Sequence, residues 1–308
     1  MHRTIEITVA PELTEALVAE LTAIESVIGL SLHRGVAVKP PGDVLRVHAL
    51  NRGTSEIMRA VEAARGRGAI SIVTNELASI IDPNHAKAVA RDIDEAIWEE
   101  MESGLNHHGR VTVNFVALMA VGGAIAVAGW LSPAVPQAIA FVAASVIAPG
   151  FEPIAKVPLG LVLRRWRVAI NGLVATIVGY AVLVAAGALM FALLRAFDET
   201  RARTLIENPE VERLVHPTSL EWLVSACAAI AGIIMVASYR RSVIAGPLIA
   251  LVLIPSSAFI GAAIGAGEAS LAWEGLRRFG LDALLIVVLG FVVFLIKQLT
   301  VHRREPLS

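Results

Sequence analysis

The chain has 308 residues, of which 56% are hydrophobic and only 17% charged. A water-soluble domain is about 45–50% apolar and about 25% charged, so this composition excludes an ordinary soluble globule. The net charge of −1 offers no concentrated basic face for nucleic acid, and the single cysteine, Cys227, excludes an intramolecular disulfide and a CxxC metal or redox motif.

Charge is unevenly spread: residues 1–110 carry an ordinary density and later stretches almost none, which predicts a two-part chain. The opening MHRTIEITVA holds no long apolar run, so no cleavable signal is expected and the N-terminus is expected in the cytoplasm.

Thr4–Val9 alternates as a strand, and Pro11 opens a helix with Leu13, Leu17, Leu21 and Ile24 at helical spacing. Val27–Val38 reads as a strand, closed by Pro40-Pro41-Gly42, and Val44–Leu50 as a third strand. Gly53–Arg67 reads as a helix with Ile57, Val61 and Ala64 inward, and Ala69–Val73 completes a βαββαβ order. That order predicts an α+β ferredoxin-like cytoplasmic domain over residues 1–80, a fold that names no function by itself. Docking or oligomerisation, and ligand sensing, are both open to it. Residues 81–110 read as a charged helical connector with an apolar stripe of Ala86, Ala90, Ile93, Ile97 and Met101.

About 20 apolar residues span a bilayer core, and residues 111–300 supply about six such stretches: 111–131, 134–163, 168–194, 220–238, 243–266 and 281–299. Arg110, Arg164-Arg165-Arg167, Arg240-Arg241, Lys297 and Arg303-Arg304 fall on one side, and by the positive-inside rule both termini are cytoplasmic. The opposite loops hold Arg195, Arg201, Arg203, Arg213, Arg277 and Arg278 mixed with acids, and Asp282 reads as interfacial. Gly172, Gly179 and Gly187, and the Gly261/Gly265 pair, predict close helix packing.

Two interruptions stand out: Pro149-Gly150-Phe151-Glu152-Pro153 in the second span and Pro255-Ser256-Ser257 in the fifth. Each sits in the middle member of a helix triplet, and three crossings invert the second triplet. This predicts two inverted three-helix repeats with broken middle helices, an arrangement that places ion or solute sites at the breaks. The candidate pathway residues are Pro149, Gly150, Glu152, Pro153, Lys156, Pro255, Ser256 and Ser257. Ser256 or Ser257 would cap one half-helix, and Glu152, just before Pro153, the other. Glu152 and Lys156, four apart, read either as a buried ion pair or as a titratable, cation-coordinating group beside a neighbour. Kinks serving packing alone are the alternative for both breaks.

Ile147-Ala148-Pro149 followed by Pro153-Ile154, and Leu253-Ile254-Pro255-Ser256, resemble motifs of the bacterial membrane family called domain of unknown function 389. The Arg240-Arg241-Ser242 approach is similar too, and the resemblance runs from about Val111 to about Leu299. Here Gly150-Phe151-Glu152 stands where the family pattern has Leu-Met-Gly, and Ser256 stands in place of a second proline. The resemblance implies the architecture and carries no substrate.

The expectation is a multi-pass protein of the bacterial inner membrane, a homo-oligomer acting as transporter or channel-like permease for a small solute or ion. No cofactor and no metal ligand set is assigned. A non-transporting scaffold or sensor is the other reading. An enzyme ranks below both, because no HExxH, GxSxG or P-loop pattern is present.

Overall fold

The structure, a computed structural model, describes residues 2–93, 95–198, 200, 205, 207–238 and 245–301, leaving aside the side chains of residues 108 and 245–251. Arg201, Arg203, Arg240-Arg241-Ser242 and Arg303-Arg304 lie outside the described residues. The chain divides into two compact units whose main segments are Met1–Ile97 and Trp98–Gln298.

The first unit runs β1 (His2–Val9), α1 (Pro11–Thr22), β2 (Val27–Val38), β3 (Pro41–Ala49), α2 (Thr54–Arg65) and β4 (Ile70–Leu77). The strands form one antiparallel four-stranded sheet in the order β2-β3-β1-β4. Period-2 alternation turns Ile5, Ile7 and Val9 of β1 inward, where they meet Leu17 and Leu21 of α1 and Ile57 and Val61 of α2. Each such side chain contributes about 1.5–3 kcal/mol by leaving water. Strand β4 extends past Val73 to Leu77 because β1 pairs with it end to end, Val9 with Ile70 and His2 with Leu77. The polar run Thr74-Asn75-Glu76 conceals this in the sequence.

The connector is not one helix. It forms α3 (Ala86–Ala90) and α4 (Trp98–His108), separated by irregular backbone. Between α3 and α4 lies Asp92, whose carboxylate accepts the Asn51 N–H at 2.8 Å and the Arg52 N–H at 3.3 Å, with His2 Nδ1 at 3.0 Å. Asp92 thus satisfies free N–H groups of the helical turn Asn51–Gly53 that leads into α2. The expected stripe is divided: Ile97 and Met101 are buried, while Ala86 and Ala90 are exposed.

The second unit continues with α5 (Val113–Trp130), α6 (Ala134–Ile147), α7 (Phe151–Val162), α8 (Trp166–Phe197), α9 (Pro209–Val215), α10 (Ser219–Ala237), α11 (Ala245–Ala266) and α12 (Ala269–Thr300). Among the described residues, α5, α8, α10 and α12 are each long and apolar enough to cross a membrane, and the bent pair α6–α7 makes a fifth. Within α11, a helix of 22 residues, the described apolar stretch is Val252–Ala266, so four or five of the about six expected crossings are found among the described residues. Thr112 caps α5, and Thr218 with Glu221 forms a capping box on α10.

Helix α8 packs against α5, α7 and α11. Its Gly172, Gly179 and Gly187 are all buried at those contacts, facing Lys156, Phe115 and Val127 respectively. Gly261 of α11 lies against the Val184 carbonyl and Gly265 against Phe191, so the small residues serve close packing as read from the sequence.

Candidate functional site at the helix break

Proline disfavours α geometry in the residue before it, so α6 stops at Ile147 and Ala148 turns extended, with φ −82° and ψ 118°. Pro149 and Gly150 make the corner, the Gly150 N–H donating to the Ala148 carbonyl at 2.8 Å. Helix α7 then starts at Phe151, 52° from the direction of α6. Pro153 falls in the first turn, where its missing N–H leaves no intrahelical bond unmade.

Glu152 also sits in that first turn. It is buried, and its Oε2 has no hydrogen-bond partner among the described residues. It does not cap α7, which begins without a side-chain cap. Two more buried polar atoms without partners belong to residues flanking the corner: Ser145 Oγ on the last turn of α6, and the Tyr180 hydroxyl on α8. The Tyr180 hydroxyl faces Gly150, where a Cβ would lie 2.5 Å from it. Buried polar side chains are paired in most proteins, so orphans at one helix break call for an explanation.

Lys156 does not pair with Glu152. Its ammonium donates to the Gly109 carbonyl at 2.8 Å, capping the C-terminal end of α4, where a cation meets the negative pole of the helix.

The second interruption is corrected by the structure: α11 runs unbroken through Pro255. Proline withdraws the N–H that would serve the Leu251 carbonyl, and the hydroxyls of the next two residues bond carbonyls further along the same turn. Ser256 Oγ donates to the Val252 and Leu253 carbonyls at 3.1 and 3.0 Å, and Ser257 Oγ to Leu253 and Ile254 at 2.7 and 3.0 Å. Both serines are fully buried and cap no half-helix. The Pro255 carbonyl in turn accepts the indole N–H of Trp130, from the end of α5, at 2.9 Å.

The two regions nevertheless meet. Ile254 Cδ1, from the residue before Pro255, would lie 3.2 Å from a Cβ on Gly150. Pro149, Gly150, Glu152 and Pro153 therefore stand at the break, with the Pro255 segment behind them, while Lys156 points elsewhere. Sequence reasoning missed Tyr180, Trp130 and Ser145 as members of this group. The available signal was a phenol in an otherwise apolar span, one of only two tyrosines in the chain.

Two charges also differ from the reading of the loops. Lys297 is buried and donates to the Ala237 carbonyl at 2.8 Å, at the end of α10, so it is not a free loop cation. Arg278, also read as a loop cation, is nearly buried and donates from Nε to the buried Asp282 at 2.8 Å.

No curated protein and no solved structure matches the chain. The family model described as domain of unknown function (DUF389) matches residues 145–288. That match begins at Ser145, just before the break, and ends within α12, a narrower span than the sequence motifs implied. Over the break, α8, α10 and α11, the chain resembles the DUF389 family.

Proposed function

We propose that the second unit is a membrane permease for a small solute or ion, with its site at the α6–α7 break. The observation that carries this is Glu152: a carboxyl group buried at a helix corner, with an oxygen that no protein group satisfies. An ionisable group inside a membrane segment costs about 2.5–3.5 kcal/mol on insertion scales and marks a pathway more often than a packing contact. Ser145 and Tyr180 add oxygen atoms of the kind that replaces a hydration shell.

In this reading the protein sits in the bacterial inner membrane as a homo-oligomer with both termini cytoplasmic, and it is not an enzyme. All six stretches cross the bilayer, as two inverted triplets: α5, α6–α7 and α8, then α10, α11 and α12. The middle members are unequal, one broken and one continuous through its proline. The first unit is a ferredoxin-like regulatory or assembly domain, a reading supported by its βαββαβ order and its strand order.

The test is flux through proteoliposomes across a panel of ions and small solutes, comparing wild type with Glu152→Gln. Flux that falls at least tenfold, or loses its pH dependence, supports the site. Wild-type flux with unchanged pH dependence refutes it. A scaffold or sensor is favoured by one observation, the close packing around the break, where a Cβ on Gly122 would come 2.7 Å from Ala148. Absence of flux for every ion and solute would support that second reading.

A further inference from the structure

A cleft of about 340 Å³ lies where the segment after α9 meets α10 and α12, lined by Val215, His216, Pro217, Trp222, Arg277, Arg278 and Leu281. It shares no residue with the helix break, and no acidic residue is among its lining. Arg278 is the key group. Its side chain is 10% exposed, with Nε bonded to Asp282 Oδ2 at 2.8 Å and Nη2 to Ser225 Oγ at 3.2 Å. The guanidinium carbon sits 4.8 Å from the Trp222 ring centre.

Asp282 and Ser225, which stand outside the lining, together with the indole face therefore fix the guanidinium plane from three sides. Nη1 is left buried and without a partner among the described residues. Arginine forks hold phosphate through two parallel N–H groups, and a fork pre-set by its neighbours loses little freedom on binding. Arg277 lines the same cleft, half exposed, tethered to Glu274 at 2.6 Å and to the Val215 carbonyl at 3.4 Å. The exposed His216 completes the polar side.

We propose that this cleft binds the phosphate group of an organic phosphate ester, held by Arg278 and Arg277 with His216 at the rim. The volume exceeds that of a bare phosphate and falls in the range of small-ligand sites, and Val215, Pro217, Trp222 and Leu281 give the organic part an apolar wall. Such an ester has two sources: the headgroup of a phospholipid, or a water-soluble metabolite.

The experiment uses the full-length protein, purified and delipidated in detergent. Phosphatidylglycerol binding is read by native mass spectrometry against diacylglycerol, and glycerol 3-phosphate binding by equilibrium dialysis. The variants are the double change His216→Ala with Arg277→Gln, both exposed positions, and Arg278→Lys, which keeps a cation beside Asp282 but removes the fork. The expected result is binding of at least one probe, weakened at least tenfold in each variant while the protein stays monodisperse. Weakening for phosphatidylglycerol alone identifies the lipid as source, and weakening for glycerol 3-phosphate identifies a soluble ester. Failure of both probes to bind, or equal binding by wild type and variants, overturns the proposal.

Discussion

Gly150 and the Tyr180 hydroxyl occupy adjoining space so closely that a single added methyl would lie 2.5 Å from the oxygen. Gly150→Ala must therefore displace α8 or the corner itself, at a cost of about 1–3 kcal/mol for overpacking. Thermal unfolding in detergent measures this. The double variant Gly150→Ala with Tyr180→Phe removes the clashing oxygen and is expected to recover most of the loss, a coupling that independent sites would not show.

Trp130 reaches the Pro255 carbonyl through its indole N–H while its ring packs on Phe141 and Phe259, at centroid distances of 5.1 and 5.2 Å. Trp130→Phe keeps an aromatic ring and loses the bond, for about 0.5–1.5 kcal/mol. Trp130→Ala also loses the packing, for about 3–5 kcal/mol. Melting temperatures should fall in that order.

Asp43 accepts the Gly35 N–H at 2.8 Å and the Thr14 hydroxyl at 2.9 Å, and these bonds, Gly35 first, hold its carboxyl below the usual carboxylate range. A depressed folded-state pKa stabilises the fold above the unfolded value of about 3.9 and loses that contribution as pH falls through the lower, folded value. Asp43→Asn should flatten the acid limb of a stability profile followed by the circular dichroism of the β-sheet, leaving its pH dependence near neutrality unchanged.

Asp92 secures the backbone of Asn51 and Arg52 from a distant part of the chain. Asp92→Ala removes a cap of the kind worth about 0.5–2 kcal/mol. Limited proteolysis between Ala90 and Ile97 should accelerate in that variant, and Asp92→Asn should restore much of the protection.

The apolar stretches and the small sheet were legible because both rest on periodicity: Ile5, Ile7 and Val9 alternate, and α8 is apolar over most of its length. The corner at Pro149 was legible because proline dictates the geometry of Ala148. The continuity of α11 was not, because a proline followed by two serines is equally compatible with a break capped by a serine and with hydroxyls bonded back along an unbroken helix, as Ser256 and Ser257 are. Nor was the partner of Lys156: spacing pointed to Glu152 four residues away, whereas the carbonyl it reaches is 47 residues away in sequence. Long-range pairings of this kind leave no local trace.

That pairing bears on electroneutrality at the corner. The ammonium of Lys156 hydrogen-bonds the Gly109 carbonyl yet remains a cation one turn along from Glu152, so it offers charge without a direct bond. What the Glu152 carboxyl lacks among the described residues is a direct partner for Oε2, which a proton or a visiting cation would supply. In the permease reading, the occupancy of this one oxygen pair then becomes a record of what has entered.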